Sequence, residues 1–398
     1  MNFIKISLNF FFVTMFFVLT GCDKDKPNAK AGEPGGEVQK PAEPQKVDLS
    51  KFDPIYNDMA RFFAGLEVDS TSSIYKLFET TSWKQHAQIF GERWKRLETD
   101  RIIPVREWSA TELKNVQQKI KNVFYPFGGP DFLFVKSFFT DAEQITQVGL
   151  EPVGKLPDLN SASPQYLGSF LQDLQGSLNV LLSGGYFKTI DMEVDFKPGR
   201  LNGVVPVLML FLARTNCRVL NVEYFDISAE GKFTFEKDLA ASADKNRFNG
   251  VLISFMDSDE YKVKKLYFLN IDLSDGAFTK MTGVHEFING QKPYATMLKA
   301  ASYLMHRENF SDVRNLVLQN SDFVLQEDSG IPLKYFGPEW KPTFYGVYVG
   351  PIPMFEVRYQ NDVNAEYKKE GNAKPLPFGI GYQWYQNRSN LMTFEKTK

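Results

Sequence analysis

RVLNVEYFDI at residues 218–227, GKFTFE at 231–236, GVLISFM at 250–256 and KKLYFLNID at 264–272 decide the fold class. Each run is rich in the β-branched and aromatic residues that suit a pleated, half-buried surface. Their polar or glycine-containing connections favour antiparallel neighbours, because a parallel pair needs a crossover of a dozen or more residues. The four runs therefore predict an antiparallel β-meander as the core of the body.

Helical patterns flank this core. Trp83, Ala87, Phe90, Trp94 and Leu97 recur on one helical face, and SATE at 109–112 reads as a capping box before Leu113, Val116 and Ile120. Ser163 followed by Pro164 starts a further helix, with Leu167, Phe170, Leu171, Leu174, Leu178 and Leu181 as its buried stripe and Gly184 as its end. Short apolar runs at 132–139 and 144–150, around TDA at 140–142, predict a hairpin. Past the core, 293–306 and 311–320 read as helices. The C-terminal part combines aromatic strands around 344–349 and 379–385 with a helix near 355–369. This order predicts an α+β body from residue 49 to 398, either one large unit or two closely joined subdomains, with a helical N-terminal part and an aromatic-rich C-terminal part.

If the 132–150 hairpin turns near Asp141, Asp131 and Glu151 face each other at its open end. Directly opposed residues have Cβ atoms about 4.5 to 5.5 Å apart, and like charges there require a shared proton, a cation or an arginine. A shared proton would put one carboxyl in general-acid range, and the spacing suits a double-displacement glycosidase. QEDSGIP at 326–332 could bring Asp328 and Ser329 into the same cleft. The simpler alternative is that Asp131 caps local backbone after Pro130 while Glu151 pairs with a lysine or arginine of a neighbouring element. A one-residue slip of register would end the carboxylate-pair reading.

Composition removes several function classes. The net charge of −2 comes without a basic stripe, which argues against nucleic acid as a partner. His86, His285 and His306 are the histidines, with no pair at ligand spacing, so neither a zinc site nor another metal is expected. No nucleophile elbow, phosphate loop or complete dinucleotide fingerprint is present, so no cofactor is expected. DSDE at 257–260 reads as a solvated turn, and His306 as a cation at a helix C-terminus. Of the two cysteines, Cys217 has no second cysteine in the body and reads as a buried, unreactive thiol.

The other cysteine closes the N-terminal segment. Lys5, an apolar run from Leu8 to Leu19 and LTGC at 19–22 form an export signal too short to span a membrane. The segment resembles the lipobox of bacterial lipoproteins. That resemblance implies removal of residues 1–21, acylation of Cys22 and attachment to membrane lipid. Residues 23–48 hold four prolines, three glycines and no aromatic residue, the composition of a disordered tether. Its 26 residues reach roughly 25 to 30 Å as a flexible coil. In the body, YPFGGPDFLF (125–134), VGLEPVGKLPDL (148–159), LKAASYLMH (298–306) and LQEDSGIP (325–332) resemble a group of uncharacterised bacterial exported or lipoprotein-like sequences. That resemblance brings no activity and no site residues with it.

The expectation is a lipid-anchored protein of the cell envelope, on the periplasmic side in a Gram-negative cell, that binds or scaffolds an envelope protein or glycan without catalysis. The alternative is a carboxylate-dependent hydrolase of envelope or imported glycan that uses Asp131, Glu151 and Asp328.

Overall fold

One mixed sheet of eleven strands organises the computed structural model, which describes residues 46–179, 181, 201, 203–236, 248–258 and 262–397. The signal, Cys22 and most of the tether lie outside the described residues, as do Gly184, Asp259 and Glu260. The strands are β1 (Asn122–Tyr125), β2 (Gln144–Gly149), β3 (Cys217–Ile227), β4 (Phe233–Phe235), β5 (Gly250–Asp257), β6 (Lys264–Asn270), β7 (Tyr294–Leu298), β8 (Phe323–Gln326), β9 (Trp340–Gly346), β10 (Ala373–Lys374) and β11 (Asn390–Lys396). Their order is β10-β9-β11-β8-β7-β1-β2-β6-β5-β3-β4.

The body is α+β, and the four runs that predicted antiparallel pairing do pair so: β3 with β4, β3 with β5, and β5 with β6. They do not form the expected meander, however, because β4 lies outermost and β5 pairs with β3 rather than with its predecessor across the longer 236–249 connection. The remainder of the sheet differs from expectation, because β8, β7, β1, β2 and β6 run parallel. Side chains alternate cleanly between two cores: Val123 and Tyr125 enter one and Phe124 the other, as do Phe323 and Leu325 against Val324. Helices Ile55–Phe63, Thr81–Leu97, Pro164–Ser177 and Val205–Arg214 supply the first core; Thr282–Asn289, Ser311–Asn320 and Asn361–Lys368 supply the second. A parallel centre must be covered on both faces, and here it is.

Local signals account for the helices that the sequence predicted. Thr80 caps Thr81–Leu97 by accepting from Trp83 N, and Ser163 caps Pro164–Ser177 by accepting from Tyr166 N. His86 sits inside the first core, with Nε2 2.9 Å from the Phe63 carbonyl and Nδ1 2.8 Å from Gln175 Nε2. Burial lowers its pKa to about 4, so it is neutral at pH 7.

Four expectations are corrected. Residues 109–112 do not start a helix: Ser109 lies within Ile103–Glu112, where its hydroxyl donates to the Phe138 carbonyl. The 132–150 hairpin does not form, because Phe132–Phe138 is a helix and β2 pairs parallel with β1. FLFVKSF is apolar nearly throughout, and such a run has no period that separates a buried strand from a buried helix; the Asp131 cap, accepting from Phe134 N, decides for helix. Residues 293–306 divide into strand β7 and the 3₁₀ segment Ala301–His306. Residues 379–385 form only an isolated bridge between Ile380 and Gln383.

Both ends of the Phe132–Phe138 helix are tied by charge. Near its C-terminal end, Lys136 and Lys264 share Asp257 at 2.8 and 2.7 Å, on the amino edge of the parallel strands. Although burial opposes it, the two ammonium groups hold the Asp257 carboxyl down at about 2. Cys217 donates its S–H to the same carboxylate at 3.2 Å. Cys217 is buried, as expected, and burial pushes its thiol up to about 12, which disfavours the thiolate.

Candidate functional site

The carboxyl edge of the parallel strands gathers the chemistry. From β1 the chain passes to β2 on one side, and from β7 it passes to β8 on the other, so the connections diverge between the adjacent strands β1 and β7. Such a switch point opens a crevice at the carboxyl ends, where α/β sheets hold their ligands. The segments leaving these ends are 126–131 after β1, 150–151 after β2, 299–300 after β7 and 327–330 after β8.

Backbone strain is concentrated here. Phe127 (φ 60°) and Ala300 (φ 57°, ψ −90°) carry a Cβ in the left-handed half of the map, and they follow β1 and β7. Each such residue costs about 1–3 kcal/mol, so the surrounding contacts must hold it in place. At Ala300 the contact is visible: its N–H donates to Glu327 Oε1 at 2.6 Å.

Asp131, Glu151 and Asp328 all reach this edge, though by loops rather than by cross-strand pairing. Asp131 Oδ2 accepts from Lys299 Nζ at 2.6 Å and from Tyr125 Oη at 3.0 Å, while Oδ1 accepts from Phe134 N at 3.3 Å. Lys299 also lies 3.9 Å from the centre of the Phe134 ring. The Glu151 carboxylate packs on Gly129, where an added Cβ would come within 3.2 Å of Oε1. Asp328 accepts from Tyr303 Oη at 2.7 Å through Oδ2 and from Asn390 Nδ2 at 2.8 Å through Oδ1. Glu327 Oε1 accepts from the Ser329 hydroxyl as well as from Ala300, and Oε2 accepts from Ser329 N at 3.2 Å.

The electrostatics follow from burial. Asp131 is 2 % exposed and Lys299 3 %. Burial pushes the Asp131 carboxyl above its ordinary value, against the pull of Lys299 and the hydrogen bonds it accepts. Burial and the neighbouring Asp328 carboxyl push Glu327 well above the usual carboxylate range. Tyr303 is raised in the same way, by burial first and then by Asp328 and Glu327. His306 stands beside Asp328 yet is lowered to about 4 by burial, so it is a neutral ring rather than the expected cation at a helix end.

These bonds satisfy both oxygens of Asp131, Glu327 and Asp328 with protein donors. The Tyr303 ring packs on Phe355 at 4.5 Å and on Tyr382 at 6.2 Å between ring centres. The chain matches no protein-family model, no curated protein and no solved structure. Among the described residues no group of histidines, cysteines and carboxylates is placed to hold a metal ion.

Sequence reasoning missed Lys299, Tyr125, Glu327, Tyr303 and Asn390. Lys299 directly follows an apolar five-residue run, YATML, and would have been found had that run been read as a strand. Asn390 carries no such signal, since it joins Asp328 only because β11 pairs with β8.

Proposed function

We propose that this protein is a membrane-tethered lipoprotein of the cell envelope whose body binds or scaffolds rather than catalyses. The observation that carries the non-catalytic part is the saturation of three carboxyl groups at the carboxyl edge. Asp131, Glu327 and Asp328 are each no more than 3 % exposed, with every carboxyl oxygen already accepting a hydrogen bond. A glycosidase needs one carboxyl free to protonate a leaving group and another facing the sugar or a water. Here the polar groups brace the strained turns after β1 and β7. The anchoring part rests on LTGC at 19–22 and on the tether composition. Among the described residues no helix is long and apolar enough to cross a membrane.

The anchor is tested by cell fractionation with metabolic labelling by an alkynyl fatty acid. The wild-type chain is expected in the membrane fraction with label, and Cys22→Ser in the soluble fraction or retained with its signal, without label. Label on Cys22→Ser would end the lipoprotein reading. The carboxylate hydrolase remains the competing proposal. It would replace the binding role if purified chain released fragments from envelope glycan, and if Asp328→Asn abolished the release at an unchanged melting temperature.

A further inference from the structure

A cavity of about 560 Å³ lies away from the carboxyl-edge cluster, on the outer face of Thr81–Leu97 and the turn that follows it. Its size falls within the 300–1,000 Å³ usual for small-molecule sites. Arg93, Arg96, Asp100 and Arg101 line it from one face of the helix, Asn179 from just beyond the neighbouring helix Pro164–Ser177, and Trp384 from a distant segment. The helix does not continue regularly here. Glu98–Ile102 is a π-turn in which Ile103 N donates to the Glu98 carbonyl. The cause is Pro104, which has no N–H to give the Asp100 carbonyl and whose ring would strike it. Turns of this kind recur at functional sites because the extra residue re-aims its neighbours.

Two of the arginines are held in place without being neutralised. Arg101 donates to the Trp384 carbonyl at 2.9 Å and stacks 4.6 Å from its ring, and Arg93 donates to Asn179 Oδ1 at 2.6 Å. Both acceptors are uncharged. Among the described residues no carboxylate oxygen lies within 4 Å of a guanidinium nitrogen of Arg93, Arg96 or Arg101. Asp100 is the one acidic residue in the lining, so three guanidinium groups leave a surplus of positive charge. Structural arginines on a protein surface are commonly paired with carboxylates, whereas this set presents oriented donor forks to an open space.

We infer that this cleft binds the phosphate group of a phosphorylated organic ligand. A phosphate ester offers up to two negative charges and three acceptor oxygens to the forks, and the cavity leaves room for the organic part beside Trp384. A carboxylate would match neither the charge surplus nor the number of donors. The phosphate monoester can come from a soluble ester or from the headgroup of a lipid that ends in one, such as phosphatidic acid. This inference supplies the ligand class for the binding role proposed above and rests on that reading. Even so, the titration below stands whether or not Cys22 is acylated and whether or not the carboxyl-edge cluster turns over a glycan.

The test is calorimetric titration of the full chain in neutral detergent with glycerol 3-phosphate, with acetate, and with mixed micelles containing phosphatidic acid. Binding of glycerol 3-phosphate or of the phosphatidic acid micelles is expected, weakened at least tenfold in Arg93→Gln/Arg96→Gln and weakened by added salt. Both side chains are exposed, so the melting temperature of the double variant should not change. Stronger binding of the soluble ester assigns a free phosphate ester as ligand, and stronger binding of the micelles assigns a headgroup. Failure of both, equal affinity of the double variant, or acetate binding as tightly as the ester would each overturn the inference.

Discussion

Lys299→Met is expected to lower the unfolding free energy by about 3–5 kcal/mol at pH 7, the usual cost of removing one partner from a buried ion pair. Lys299 and Asp131 meet at 2.6 Å, with side chains 2 % and 3 % exposed. Methionine fills much of the volume of the lysine stem, so the loss reports the stranded Asp131 carboxylate rather than a cavity. Lys299 pulls the Asp131 pKa down against burial, and without it the folded-state value rises further. A folded-state pKa above the unfolded one favours folding at low pH, so the deficit of the variant should shrink as pH falls from 7 towards 4. Urea unfolding across that range measures it. Adding Asp131→Asn should recover part of the loss, because the charge that lost its partner is then gone. A deficit below about 1 kcal/mol, or one independent of pH, would show that the pair does not brace the β1–β7 crevice.

Asp257→Asn is expected to cost about 3–5 kcal/mol at pH 7 by a different route, since it removes the carboxylate that Lys136 and Lys264 share. Their side chains are 7 % and 2 % exposed, too buried for water to take over the role of Asp257. The acid limb of the stability curve tests the same triad. In the folded state Asp257 is held at about 2, below the value near 3.9 of an unfolded aspartate. Its stabilisation is therefore complete above about pH 4 and is lost as pH falls through 2. The variant should lack that part of the acid transition. Acid titration of the wild-type chain and Asp257→Asn by circular dichroism compares the two, and parallel acid limbs would count against the triad.

These two clusters pin opposite ends of Phe132–Phe138, the segment whose secondary structure the sequence left ambiguous. The misreading as a strand and the misplaced carboxylate pair are one event. Once 132–139 is taken as a strand, Asp131 and Glu151 face each other across a hairpin; once it is a helix, Asp131 becomes its cap and turns towards Lys299. The cap was legible, because an aspartate after Gly-Gly-Pro and before an apolar run is a helix start as readily as a turn. Nothing within the segment could choose between them. The same limit applies to His306: a titratable residue reads from sequence as a surface cation until tertiary packing removes the water that would let it charge.

Local chemistry made the helices Thr81–Leu97 and Pro164–Ser177, the antiparallel neighbours β3–β4 and β5–β6 and the α+β class readable in the sequence by itself. Caps act over three residues, periodicity over a few turns, and short connections leave adjacent strands little freedom. The expected export signal and tether are readings at the same level, since they rest on composition alone. Only the tertiary structure decided the parallel order β8-β7-β1-β2-β6, and with it the meeting of Asp131 and Lys299 across 168 residues. It likewise brought Trp384 onto Arg101 across 283 residues. Contacts of that range are selected by the burial of both sheet faces at once, a condition no local stretch of sequence expresses.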